Sequence, residues 1–207
     1  MSEPAQKADL SCRSLALNSR PETPDRKLLL TMVGGIEVRG TAEFLARTRE
    51  ALALLGVARR LEFVQANIAV IQQARRSGMK AWLKRPTFTV GKATWQHSAL
   101  WYAGAIAHDA YHSKLYREAK NALCGATKIP LSSPFGKGGK RRISPATNSW
   151  TGAEAEKKCL VFQLQVLREL DAGSEILGYV EQCAKNPTYQ GRNRGWRGWL
   201  AYRRRWW

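Results

Sequence analysis

A chain of 207 residues, 44% of them apolar, is long enough for one substantial core and a little short for two domains; this composition excludes wholesale disorder. No run of eighteen or more apolar residues occurs, so no membrane-spanning helix is expected. Lys and Arg total 34 against 16 acidic residues, and the resulting net charge of +18 favours nucleic acid, anionic lipid or an acidic partner without choosing among them.

Residues 1–26 are rich in Pro, Ser and charge and read as a loosely held arm. Their opening, MSEPAQKADLSC, has no basic start followed by an apolar stretch, so no secretory signal is expected. A cytoplasmic location is the default, with signal-less export left open. Leu28 to Val33 and Ile36 to Arg39 read as two strands around a Gly34-Gly35 turn. Thr41 is placed to cap a helix carrying Phe44, Leu45, Ala51, Leu52 and Leu55, with Gly56 at its end. Leu61 to Ile71 is β-branched and apolar in its second half, while a helix from Val64 to Arg75 fits the spacing nearly as well. Pro86 to Val90 reads as a short strand whose leading proline predicts an edge position.

Thr94 is expected to open a long helix, TWQHSALWYAGAIAHDAYHSKLYREA. Residues 124–150 then hold Gly, Pro, Ser and the basic cluster Lys137 to Arg142, and read as a long loop. A second strong helix starts at Thr151, where Thr151-x-x-Glu154 forms a capping box, and ends near Gly173. A third covers Ser174 to Lys185. Cys12, Cys124, Cys159 and Cys183 contain no C-x-x-C pair, which argues against a zinc ribbon or a thioredoxin-type site. They read as buried thiols, or as a source of one disulfide if the protein is exported.

The chemistry-bearing feature is His108 and His112, four residues apart on one helical face, with Cβ atoms about 6 Å apart. Two imidazoles so placed can grip one metal ion, and neutral imidazole suits zinc. Trp101, Gly104 and Leu115 share their stripe, so the pair faces inward, and Gly104 lets another segment approach closely. The helix from Thr151 offers a third donor. Glu156 lies on the stripe of Leu160, Gln163, Leu167 and Leu170, whereas Glu154 lies opposite, near Lys158 and Arg168. A carboxylate on an apolar face needs a partner, and either a metal or an arginine would serve. His97, eleven residues before His108, is too far along the same expected helix to share one ion and reads as structural. Tyr111 and Tyr116 are able to donate to an oxyanion, but read first as a core and a surface tyrosine.

The order of these elements resembles the zincin metallopeptidases: a strand at Pro86 to Val90, a helix bearing His108-Asp-Ala-Tyr-His112, and a glutamate on a later helix. With glutamate as third ligand it is similar to the gluzincin branch, over roughly residues 28–172. The resemblance implies an α+β fold, with a small twisted N-terminal sheet packed on the helix bearing H-x-x-x-H and a helical C-terminal part. It also implies Zn2+ held by His108, His112 and Glu156, with an activated water that hydrolyses a peptide bond. The family pattern is H-E-x-x-H, and Asp109 stands where the glutamate general base belongs. Its carboxylate is withdrawn by roughly 1 Å, against a hydrogen-bond reach of about 2.6–3.2 Å, so either the backbone compensates or the site binds metal and cleaves poorly. HD-type phosphohydrolases also use an adjacent His-Asp pair, but within an all-helical fold and with a histidine on another helix.

Residues 188–207 form the last segment after a single expected domain at 27–187. There Arg192, Arg194, Arg197, Arg203, Arg204 and Arg205 alternate with tryptophans, a pattern suited to phosphates and stacked bases or to a lipid interface. Packing of Trp196, Trp199 and Tyr202 back onto the domain, with the arginines solvated, explains it equally well. The chain therefore carries two expectations, a zinc hydrolase and a non-enzymatic polyanion binder.

Overall fold

The structure is a computed structural model and describes residues 28–126, 150 and 152–186. The expected arm at 1–26, the basic cluster at 137–142, Thr151 of the capping box and the Arg/Trp-rich end at 188–207 lie outside these residues, as do Cys12 and the side chain of Cys124.

Strands β1 (Leu29–Val33) and β2 (Ile36–Gly40) pair antiparallel across a two-residue turn, with Val33 opposite Ile36. Gly34 and Gly35 take φ of 52° and 74°, which glycines adopt without the strain a β-branched or bulky residue would meet. Helix α1 (Ala42–Val57) follows, and the Thr41 side chain accepts from the Phe44 N–H as expected. It runs one residue past Gly56, and the left-handed residue that ends it is Arg59, with φ 55°. Both readings of Leu61 to Ile71 were displaced: a short helix, α2 (Leu61–Asn67), precedes strand β3 (Val70–Ala74).

Strands β4 (Gly78–Lys80) and β5 (Thr87–Gly91) complete a mixed five-stranded sheet in the order β1-β2-β3-β5-β4. β5 is therefore an interior strand, parallel to β3 and antiparallel to β4, which corrects the edge position predicted from Pro86. The proline precedes the first ladder residue, so its missing N–H leaves no gap. Its carbonyl accepts from the N–H groups of Ala69 and Val70 at 2.9 and 3.1 Å.

The helix expected from Thr94 is broken. Helix α3 (Lys92–Trp95) is one turn, and α4 (Ala99–Ala126) begins after Ser98, whose side chain accepts from the Trp101 N–H at 3.2 Å. Thr94 caps nothing; its buried hydroxyl pairs with that of Ser77 at 2.6 Å. The last turn of α4 enters what reads as loop from residue 124. Helix α6 (Ser174–Lys185) has its expected bounds, whereas α5 (Ala153–Glu169) departs from the expected capping box: its N-cap is Gly152, which offers no side chain to bond the first turn, and it ends at Glu169, short of Gly173.

The fold is thus α+β, a small mixed sheet with helices. Alternation along β2 and β5 sends Ile36, Val38, Phe88 and Val90 to one face, where they meet Phe44, Leu52 and Leu55 of α1 and Tyr102, Ile106 and Ala110 of α4. Glu37, on the opposite phase of β2, bonds to Arg39 and Arg85. A polar contact between α1 and α4 is self-satisfied: Thr48 bonds to the Phe44 carbonyl and to the Tyr102 hydroxyl, 3.0 Å away. Among the described residues, no helix is long and apolar enough to cross a membrane.

Candidate metal centre

Helix α4 meets α5 in antiparallel order, and three pairs of residues four apart mark the seam. Gly104 faces Leu167, His108 faces Gln163, and His112 faces Cys159. A Cβ built on Gly104 would lie 3.0–3.3 Å from three Leu167 carbons, so the glycine sets how closely the two helices approach. This is the close approach that the sequence predicts for Gly104.

One and two turns further along, the seam becomes polar. The Nε2 atoms of His108 and His112 are 3.1 Å apart. Glu156 places Oε1 3.5 Å from the first and Oε2 3.3 Å from the second. The sequence-predicted trio is therefore brought together. Nitrogen and oxygen donors about 2.0–2.1 Å from a tetrahedral ion stand about 3.3–3.4 Å from one another. The two ring nitrogens stand 3.1 Å apart, and different oxygens of Glu156 approach each of them at close to that spacing, so the group is able to hold an ion.

Cys159 is the residue that the sequence reading missed. Its Sγ and the ring nitrogens of His108 and His112 all lie within 4.8 Å of one another, a group able to hold a metal ion. Its sequence signal is the spacing Glu156-x-x-Cys159, which puts both side chains on one face of α5. A search for cysteine pairs passes over it. Gln163 is a second addition, since its side chain hydrogen-bonds His108 in favour of the charged ring. His108 Nδ1 is itself buried without a hydrogen bond of normal geometry, and a ring nitrogen opposite a ligating one is where an orienting partner belongs.

Electrostatics split the two imidazoles into one neutral and one charged ring. Burial, helped by the neighbouring His112, pulls His108 down to about 4, so it is a neutral imidazole at neutral pH, the form that ligates. Burial opposes the charge on His112 as well, but hydrogen bonds to Cys159 and Glu156 outweigh it and raise its pKa well above 6.5. One proton held on His112 thus answers the buried Glu156 carboxylate. Asp109 is half-buried, and burial, together with the Glu156 charge and against the pull of His112, pushes it up to about 7.

The other candidates lie apart. His97 sits in the break between α3 and α4, not on the helix of the pair, and its ring stands edge-on to Trp101 at 6.4 Å. Burial lowers its pKa. The two tyrosines exchange their expected places. Tyr116 is buried against Trp150, whereas Tyr111 is half-buried between Phe63 and Phe162, with Lys114 over its ring. Glu154 is exposed, as its position opposite Glu156 predicts.

No protein-family model, curated protein or solved structure matches this chain.

Proposed function

We propose that the chain is a zinc-dependent, metallopeptidase-like hydrolase in which His108, His112 and Glu156 hold the ion. The observation that carries this reading is the convergence of the two ring nitrogens, 3.1 Å apart, with the Glu156 carboxylate, whose two oxygens lie 3.5 and 3.3 Å from His108 and His112 respectively. Zinc supplies a Lewis acid that polarises a peptide carbonyl and makes water acidic. Asp109, whose carboxylate is electrostatically linked to His112 and Glu156, would serve as the base that takes a proton from water at such an ion. His108 and His112 orient the centre from α4, and the α5 seam at Gly104 and Leu167 fixes the distance at which Glu156 reaches them.

The zincin resemblance is consistent with the sheet. β4 packs on α4 and has one strand neighbour, β5, among the described residues, so its other edge is available for an extended peptide to add as a strand. Arg75, Arg76, Lys80 and Lys84, in and around β4, are all exposed and favour an acidic peptide.

Elemental analysis of the purified protein tests the reading. One zinc per chain is expected, and His112→Ala should lose it along with part of the stability, because metal binding and folding share free energy. Asp109→Asn should keep the zinc and lose hydrolysis of unstructured acidic peptides. A metal-free wild-type protein, or full hydrolysis by Asp109→Asn, would overturn the respective assignment.

The net charge of +18 favours a second reading, polyanion binding through residues 188–207. Binding to single-stranded DNA or anionic vesicles that weakens steeply with salt, and that disappears when residues 192–207 are removed while zinc stays, would support it. Undiminished binding by the truncated chain would overturn it.

A further inference from the structure

We infer that Cys159 is the fourth protein donor to the same ion, so that a thiolate closes the centre at rest and water enters only when that sulfur leaves. The inference rests on the metal reading above and adds to it a donor that the zincin resemblance does not supply.

Three observations carry it. The first is placement. α4 contributes His108-x-x-x-His112 and α5 contributes Glu156-x-x-Cys159, two same-face pairs on antiparallel helices. The Cys159 sulfur lies within 4.8 Å of both imidazole nitrogens, and His112 hydrogen-bonds to it. The second is burial. Cys159 is fully buried, and Glu156, on the same face of α5, is 7% exposed. Donors buried in this way are shielded from bulk water, and a divalent ion would let the thiol ligate as a thiolate beside the carboxylate. The third is donor type. Two imidazoles, a carboxylate and a thiolate select zinc over calcium or magnesium, and four protein donors are the mark of a closed zinc centre.

Cys159 also borders an apolar cluster with Leu115, Tyr116, Ala155 and Trp150, where a thiol serves as a small hydrophobe. That role accounts for its burial but not for its hydrogen bond to His112.

The exchange balances simply. On closure the Cys159 Sγ–H proton passes to solvent and a sulfur–metal bond takes its place. On opening that bond breaks, water takes the position, and the thiolate regains a proton. No oxidant or reductant is needed.

Cobalt(II), loaded into the full-length protein in place of zinc, reads the ligand set directly. The expected spectrum has the intense visible bands of a four-coordinate site and a near-ultraviolet thiolate-to-cobalt charge-transfer band. Cys159→Ser should lose the near-ultraviolet band and retain the cobalt. A variant with serine at Cys12, Cys124 and Cys183, which keeps only Cys159, should retain both features and guards against misfolding of the first. Cobalt bound without a thiolate band in the wild type, or a band that survives Cys159→Ser, would overturn the inference and leave the histidine–glutamate centre standing. Absence of stoichiometric cobalt and zinc alike would overturn both.

Discussion

The two ends of the α4–α5 seam share one spacing and carry opposite chemistry. At Gly104 and Leu167 the contact is apolar, and a missing Cβ makes room for the leucine. Two turns away, two imidazoles, a carboxylate and a thiol are packed as closely, with Glu156 and Cys159 buried. The apolar end is complete by itself, because burial and dispersion need no partner beyond the facing carbon. The polar end is not, because its buried carboxylate must be matched by a positive partner, here the proton held on His112. Helix geometry therefore decides where residues meet, and side-chain chemistry decides whether the meeting stands alone or calls for a cation.

The comparison breaks first at the apolar end. Gly104→Val inserts a branched side chain where even a Cβ is crowded by Leu167, and should destabilise the protein by about 1–3 kcal/mol. It should also weaken zinc binding, since α5 carries Glu156 and Cys159 away from the histidines. Thermal unfolding with and without a chelator checks both effects. Unchanged zinc affinity in a destabilised variant would show that the seam's spacing does not set the centre.

Gln163→Leu sharpens the comparison by making the middle of the seam apolar. It removes the polar contact to His108 and should cost roughly 10–100-fold in zinc affinity, read by chelator competition, with little change in fold. Affinity equal to wild type would remove Gln163 from the orienting role.

Glu37→Gln, on the far face of the sheet, should give the smallest effect. Hydrogen bonds from Arg85 and then Arg39 outweigh burial and hold Glu37 below the usual carboxylate value of 4.5. A folded-state pKa below the unfolded one stabilises above the unfolded value and loses that contribution as pH falls through the folded value. The variant should therefore melt lower than wild type at neutral pH, with the gap closing in acid and zinc affinity unchanged. A gap that widens in acid would contradict the sign.

Much of the site was legible because helix periodicity is local. The four-residue step from His108 to His112 and the apolar stripe through Glu156, Leu160 and Gln163 follow from 3.6 residues per turn. The hairpin, α1 and α6 were readable for the same reason, from glycines, a capping threonine and regular spacing. What escaped depended on neighbours distant in sequence. Pro86 gave no sign that Ala69 and Val70 would use its carbonyl, nor that β4 would take the edge outside β5. Thr94 looked like a cap until Ser77, brought in by β4, claimed its hydroxyl and Ser98 started the long helix instead.

Sequence alone determined which side chains share a face: two histidines on one helix, a glutamate and, had the spacing been followed, a cysteine on the other. Only the tertiary structure decided that the two faces meet in antiparallel register, because that depends on the closeness permitted at Gly104 and on long-range packing that no local pattern encodes. That meeting places Cys159 beside His112, and so turns a buried thiol into a candidate ligand.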